Sequence, residues 1–169
     1  RKTGSLHTNM YSHLNELWAS LIVEELVRQQ ITHFFIAPGS RSTPLTLAVI
    51  ANERAHTHTH FDERGLAFMA LGYAKASNQA AVLITTSGTA VANLLPAVVE
   101  ASLSHHPLLL LTADRPDELI GTGANQAVQQ PGIFGGYVAH ALNLPTPTEE
   151  YPAPTLLMNI DEAVDALVQ

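Results

Sequence analysis

Six residues with polar or flexible groups follow four segments of the chain that have the pattern of strands. They are Ser40, Arg41, Glu63, Ser87, Gly88 and Arg115. A guanidinium binds a carboxylate through two parallel hydrogen bonds, so Arg41 and Arg115 together suit an acidic substrate. In an open parallel sheet, ligands bind outside the carboxyl ends of the strands. The pattern therefore predicts one sheet edge where two arginines, one carboxylate and several backbone amides meet.

Three of these segments are short apolar runs, the second alternates His with Thr at the period of a strand, and each is followed by a helical pattern. The four segments are residues 33–37, 56–61, 81–85 and 108–112. Short strands and helices that alternate along one chain predict an α/β fold, doubly wound, with a mostly parallel sheet and helices on both faces. We expect the four strands to be parallel neighbours in one sheet. Glu63 then lies where the second strand gives way to a helix.

The remaining elements are less regular. Residues 90–102 form an apolar helical pattern, and Pro96 should either kink that helix or fall in its first turns. Glycines punctuate the stretch after Pro116, with a short turn of helix expected at 126–130 and an edge strand at 138–144. Apolar residues at helical spacing from Leu156 to Leu167 predict a terminal helix.

Each candidate side chain also has a purely structural explanation. Asp62 is a suitable helix N-cap, and a carboxylate such as Glu63 is favoured in a first helical turn by the helix dipole. An alternative for Arg41 is an ion pair with an acid at a helix end. Arg115 has the alternative of a surface pair with Asp114 or Asp117, and such pairs contribute little to stability.

Length, composition and charge exclude several classes of protein. The 169 residues suggest one domain, and 46% apolar residues suffice for a large core. We expect residues 1–9 to be a cloning remnant or disordered tail and residues 10–169 to be the domain. A net charge of −7 argues against a nucleic-acid partner. No cysteine occurs, which agrees with a cytoplasmic location, and no apolar run reaches the ~20 residues of a membrane span.

The sequence lacks the motifs of several other well-known catalytic and binding sites. Neither the spaced glycines of a dinucleotide site nor a phosphate-binding loop ending in Lys is present. Neither Ser40 nor Ser87 lies in a Gly-x-Ser-x-Gly nucleophile elbow. His56, His58 and His60 fall on one face of a regular strand, but no carboxylate or fourth histidine completes a zinc site nearby, so we expect no metal ligands in this chain.

Five motifs, in order along the chain, resemble the N-terminal, pyrimidine-binding domain of the 2-succinyl-5-enolpyruvyl-6-hydroxy-3-cyclohexene-1-carboxylate synthase family. They are Pro38-Gly39-Ser40-Arg41-Ser42-Thr43-Pro44-Leu45, His60-Phe61-Asp62-Glu63-Arg64-Gly65, Thr86-Ser87-Gly88-Thr89-Ala90, Leu111-Thr112-Ala113-Asp114-Arg115-Pro116 and Gly123-Ala124-Asn125-Gln126. The resemblance covers about Trp18 to the C-terminus. It implies a thiamine-diphosphate enzyme of menaquinone and phylloquinone synthesis that decarboxylates 2-oxoglutarate and adds the succinyl unit to isochorismate.

The resemblance also implies roles for individual residues. Glu63 matches the Glu that hydrogen-bonds the aminopyrimidine ring and favours its imino tautomer. This role requires a carboxyl that shares a proton with a weakly basic ring, which a corner packed by Phe61 and Leu66 would favour. The backbone at Pro38 and at Ser87 and Gly88 would approach the pyrimidine. The acidic-substrate pocket would be lined by Ser40, Arg41, Arg115, Asn125 and Gln126.

The chain lacks one part of the family's pattern. Family members hold the diphosphate and Mg²⁺ with a Gly-Asp-Gly motif in another domain, and no such motif occurs here. The resemblance implies that the Mg²⁺ ligands lie outside this chain and that the active site forms across subunits of a homodimer or homotetramer. The isolated fragment should be inactive. Another thiamine-diphosphate lyase or decarboxylase, and a non-catalytic binding or assembly module of the same fold, remain alternatives.

Overall fold

Four parallel strands form the sheet in the part of the chain that the computed structural model describes. This part comprises residues 5–168, with side chains from residue 14 to 167. The strands are β1 (His33–Ile36), β2 (His56–Thr59), β3 (Ala81–Thr85) and β4 (Leu108–Thr112). Their order is β2-β1-β3-β4, and every neighbouring pair is parallel. The predicted parallel arrangement is confirmed, and the direction of winding switches between β1 and β3.

Helices cover both faces of this sheet. They are α1 (Ser5–Arg28), α2 (Thr43–Ala51), α3 (Glu63–Ser77), α4 (Thr89–Ala92), α5 (Leu95–Ser104) and α6 (Ala153–Asp165). Successive strand residues point to opposite faces. Phe34 and Ile36 accordingly pack with α1, α2 and α6, whereas Phe35 and Ala37 pack with α3 and α5. The α/β fold with two helical layers is as predicted.

The helix predicted over residues 90–102 is divided into α4 and α5. α4 ends at Ala92, and α5 begins at Leu95 with Pro96 in its first turn. Proline has no backbone N–H and fixes its own φ, so the first helical turn is where it costs least. The alternative of Pro96 in a first turn is confirmed, and the single continuous helix was wrong.

Two predicted elements between β4 and α6 are absent from the described structure. Residues 126–130 form a turn followed by irregular backbone rather than a helix, and residues 138–144 form no strand. Val138 packs into the core beneath α3 and α5, whereas Leu144 packs into the core on the other face. The segment thus contributes one partly buried side chain to each core without joining the sheet, while Leu142 is exposed. The predicted terminal helix is confirmed as α6.

The N-terminal helix begins earlier than the apolar pattern suggested. Residues 1–4 of the predicted tail lie outside the described residues, and α1 begins at Ser5. Helical backbone therefore includes residues 5–9, which we had placed before the domain; their origin as a remnant stays a prediction. Within the described residues, no helix combines the length and apolar character needed to cross a bilayer.

Three histidines form a cluster at the β2 side of the sheet. His33 of β1 pairs in register with His56 of β2, and His33 Nδ1 lies 3.0 Å from His58 Nε2. The His33 ring stacks on Tyr73 of α3, with the ring centroids 4.3 Å apart. No group of three His, Asp or Glu side chains in the described part of the chain is arranged to hold a metal ion.

This cluster should make the stability of the protein depend on pH. The pKa of His33 is lowered from its usual 6.5, mainly by burial and further by the charges of His56 and His58. Below about pH 6.5 the unfolded chain therefore takes up a proton that the folded chain resists. The free energy of unfolding should fall as the pH falls from that value through the folded-state pKa, and should level off below it.

Urea denaturation between about pH 7 and 5 measures this effect. We expect the His33→Gln variant to lose less stability over this range than the unmodified protein. The control variant is His140→Gln, because His140 is exposed and lies outside the cluster. Equal pH dependence in the His33→Gln variant and the unmodified protein would contradict the prediction.

Candidate functional site

The predicted site residues follow the carboxyl ends of all four strands. Pro38, Ser40 and Arg41 follow β1, and Glu63 begins α3 after β2. Ser87 and Gly88 follow β3. Arg115 lies three residues beyond the end of β4, and the loop with Asn125 and Gln126 comes later in the chain. Because all four strands are parallel, their carboxyl ends lie at the same edge of the sheet.

The turn after β1 is held tightly against the end of β3. A Cβ added to Gly39 would lie 2.4 Å from Cβ of Thr86. The hydroxyl of the fully buried Ser42 donates a hydrogen bond of 3.1 Å to the Gly39 carbonyl. The backbone of the turn is therefore fixed, while the side chains of Ser40 and Arg41 are exposed at the rim.

Gly39→Ala should therefore destabilise the protein, by about 1–3 kcal/mol, because the added methyl group forces the turn away from β3. Gly72→Ala is the matched control, since no atom lies within 4 Å of the position its Cβ would take. This control should stabilise α3 by about 0.5–1 kcal/mol. Denaturant unfolding of both variants measures the difference. Equal effects would mean that the turn and β3 are not in close contact.

Local hydrogen bonds fix the corner that carries Glu63. Asp62 is the N-cap of α3, and its carboxylate accepts the Gly65 N–H at 2.7 Å. His60 Nδ1 accepts the Asp62 N–H at 3.0 Å. Glu63 is half-buried at the first position of the helix, and its carboxylate makes no hydrogen bond or ion pair to the described part of the chain. The predicted cap is confirmed, and the Glu63 carboxylate is available to a ligand.

Phe61 does not pack this corner as we expected. Its side chain is 85% exposed and stacks on the His60 ring, with the ring centroids 4.9 Å apart. Phe61 lies between the end of β2 and the start of α3, beyond the layer of side chains that the helix presses onto the sheet. Leu66, which is fully buried, instead packs the start of α3 into the core that includes Phe35 and Ala67.

The end of β3 presents buried polar groups. Thr85, Thr86 and Ser87 are buried, and no partner among the described residues satisfies any of their three hydroxyl groups. Buried polar atoms normally have hydrogen-bond partners. Gly88 follows at φ +84°, a conformation that favours glycine, and a Cβ there would lie 3.0 Å from the Gln126 backbone. This end of the sheet can therefore take a polar ligand against closely packed backbone.

The two arginines are free of protein carboxylates in the described part of the chain. The ion pairs found there involve Glu24 and Glu100, and neither Arg41 nor Arg115 belongs to them. Arg115 is partly buried, and its Nε has no hydrogen-bond partner within the residues that the structure describes. The surface pairs considered as alternatives are not formed, so both guanidinium groups remain available to an acidic ligand.

The glycine-rich stretch after Pro116 brings one predicted site residue, Gln126, against the turn after β3. Gln126 contacts Gly88 through its backbone and has a φ of +58°, which is uncommon for a residue other than glycine. Asn125 and Gln126 are both exposed.

A cleft of about 310 Å³ between α1 and α2 includes Ser40 but none of the other predicted site residues. It therefore reaches the rim at Ser40 but does not include Glu63.

Sequence reasoning missed one buried residue at this edge. Gln130 is only 7% exposed, and its side-chain oxygen accepts the Gly88 N–H at 2.8 Å. Its side-chain nitrogen donates to the Ala113 carbonyl at 3.1 Å. The partners lie 42 and 17 residues away in the chain. A glutamine in a polar loop carries no local signal of such burial, so only the folded arrangement reveals it.

Comparison with known proteins points to one family. Residues 18–133 match the family described as thiamine pyrophosphate enzyme, N-terminal TPP binding domain. A protein of Aliivibrio fischeri named 2-succinyl-5-enolpyruvyl-6-hydroxy-3-cyclohexene-1-carboxylate synthase is 60% identical over 150 residues, which are 89% of this chain and 26% of that protein. A protein of the same name from Shewanella amazonensis is 60% identical over 157 residues, 93% of this chain and 27% of the relative. The chain thus spans about a quarter of the length of these relatives.

Proposed function

The chain belongs to the thiamine pyrophosphate enzymes as an N-terminal TPP-binding domain, and we propose that it is the pyrimidine-binding part of a synthase acting on 2-oxoglutarate and isochorismate. The proposed enzyme decarboxylates 2-oxoglutarate and transfers the succinyl unit to isochorismate in menaquinone or phylloquinone synthesis. One observation carries the proposal: Glu63, whose carboxylate has no partner among the described residues, shares a sheet edge with two arginines that pair with no carboxylate in that part of the chain.

The residues at this edge suit the aminopyrimidine end of thiamine diphosphate. The buried hydroxyls of Thr86 and Ser87 lack partners among the described residues, and Gly88 leaves no room for a side chain beside the Gln126 backbone. When bound, thiamine diphosphate supplies the electron sink that decarboxylation of a 2-oxo acid needs. Glu63 would hold and share the proton at the pyrimidine ring, and the backbone at Pro38, Ser87 and Gly88 would set the orientation of the ring. The Mg²⁺ ligands would lie outside this chain.

The same edge suits substrates with several carboxylates. Arg41 is exposed on the turn after β1, and Arg115 is partly buried three residues beyond the end of β4. Each guanidinium would bind a substrate carboxylate through two hydrogen bonds. Ser40, Asn125 and Gln126 would add neutral donors and acceptors around it. We place the enzyme in the cytoplasm as a homodimer or homotetramer with the active site between subunits.

The test is a substrate assay on a polypeptide of the relatives' length that contains this chain. With thiamine diphosphate and Mg²⁺, we expect turnover of 2-oxoglutarate together with isochorismate and little turnover of pyruvate, which lacks the second carboxylate. The 169-residue chain alone should be inactive. Preference for pyruvate would favour another lyase or decarboxylase of the same family. A binding or assembly module would turn over none of these compounds.

Arg41→Lys should mainly raise the KM for the acidic substrate. An ammonium group keeps the positive charge but cannot form the paired hydrogen bonds of the guanidinium. We expect KM to rise about tenfold with a smaller change in kcat, because capture is weakened more than chemistry. Arg64→Lys is the control, since Arg64 is exposed on α3 beside the corner and has no proposed role. Steady-state kinetics decide the matter, and an unchanged KM in Arg41→Lys would remove Arg41 from the substrate pocket.

A further inference from the structure

We infer that Gln130 is a positioning residue that ties the turn after β3 to the end of β4. Its carboxamide joins the Gly88 N–H to the Ala113 carbonyl, at 2.8 and 3.1 Å. Gly88 belongs to the proposed cofactor contact, and Ala113 stands two residues before Arg115 of the proposed substrate pocket. The catalytic consequence of the tie rests on the proposed function, whereas its geometry does not.

The two bonds are specific for a carboxamide. The bond to Gly88 requires an acceptor, and the bond to Ala113 requires a donor, so one side chain must supply both. Gln130 is 7% exposed, so solvent cannot readily replace either partner. Leucine would supply neither group, and a carboxylate would supply only the acceptor. Substitution by leucine therefore removes both hydrogen bonds, whereas substitution by glutamate removes only the one to Ala113.

Gln130 also holds the loop that precedes it. Gln126, four residues earlier, packs its backbone against Gly88 in a left-handed conformation. A residue other than glycine keeps this conformation only where its surroundings enforce it. Residues 126–130 are thus held at one end by the contact of Gln126 with Gly88 and at the other by the hydrogen bonds of Gln130. Release of Gln130 should therefore disturb both the β3 turn and the position of Gln126.

The geometric part is tested by amide hydrogen exchange on the 169-residue chain. In Gln130→Leu, exchange of the Gly88 N–H should accelerate by at least about tenfold. The Ala37 N–H, which donates to Ile84 within the sheet, should keep its protection. Gln129→Leu is the matched control, because the neighbouring Gln129 is exposed. Unchanged protection of Gly88 in a folded Gln130→Leu protein would overturn the inference.

Gln130→Glu tests the tie without removing the acceptor, which matters if Gln130→Leu fails to fold. At neutral pH the carboxylate can accept from Gly88 but opposes the Ala113 carbonyl. At low pH the protonated carboxyl can donate to Ala113 again. We therefore expect Gly88 to stay protected and the relative kcat/KM of the full-length variant to recover as the pH falls. A purely space-filling role predicts the same ratio to the unmodified enzyme at every pH, and that result would overturn the inference.

Kinetics of the full-length enzyme test the positioning role. Gln130→Leu should lower kcat/KM by about 10- to 100-fold, because small displacements of positioned groups have effects of that size. Gln129→Leu should match the unmodified enzyme. Faster Gly88 exchange with unchanged kinetics would overturn the positioning role. A further outcome is that the unmodified full-length protein shows no synthase activity while Gly88 exchange still accelerates in Gln130→Leu. That result would refute the proposed function and support the structural role of the Gln130 hydrogen bonds.

Discussion

Glu63→Gln in the full-length enzyme is expected to lower kcat by about 10²- to 10⁴-fold, the usual contribution of a positioned acid or base. Glutamine preserves the size of the side chain and can still form a hydrogen bond. It cannot supply or share the proton that the proposed role at the pyrimidine ring requires. Because the diphosphate would be held elsewhere, cofactor affinity should change much less than kcat. Steady-state kinetics with saturating thiamine diphosphate measure the effect.

A structural role for Glu63 makes a different prediction. Glu63 occupies the first position of α3, where a carboxylate stabilises the helix by about 0.3–1 kcal/mol. If that were its whole role, Glu63→Gln would lower the melting temperature slightly and leave kcat nearly unchanged. Glu53→Gln is the control for loss of an acidic group, because Glu53 is exposed between α2 and β2. A near-normal kcat in Glu63→Gln would leave Glu63 only the helix-terminal role.

The sheet was predictable because its strands carry their own signals. β1, β3 and β4 are short apolar runs, β2 alternates His with Thr at the period of a strand, and the alternation of strands with helical patterns implies parallel neighbours. β3 is the clearest case, since all five of its residues are buried between the helical layers. The carboxyl-edge position of Arg41, Glu63 and Arg115 follows from this topology alone.

The packing within the site was not predictable in the same way. The contact between Gly39 and Thr86 and the bonds of Gln130 join residues that are distant in the chain. Hydrophobic periodicity does not predict the long-range contacts of a glycine or a glutamine. Phe61 shows the opposite error, because an aromatic residue beside a strand suggests burial although its position at the corner leaves it in solvent. The exposure of a residue depends on the helices or loops that cover it in the fold. The local sequence pattern does not specify these neighbours.

Phe34→Ala should produce the largest loss of stability among single side-chain truncations considered for this protein. Phe34 is fully buried in β1, between β2 and β3, and packs into the core that α1, α2 and α6 cover. Truncation of a buried phenylalanine typically costs about 3–5 kcal/mol, through lost burial and the cavity left behind. At about 2–4 °C per kcal/mol for a chain of this size, the melting temperature should fall by roughly 6–20 °C.

Phe61→Ala is the matched control, because it removes the same atoms from a side chain that is 85% exposed. Surface truncations of this kind usually change stability by no more than about 0.5 kcal/mol. Thermal or denaturant unfolding of the two variants therefore separates burial from residue type. Similar losses in both variants would mean that Phe61 is covered in solution, as the sequence first suggested, and that the corner around Glu63 is more enclosed than the structure describes.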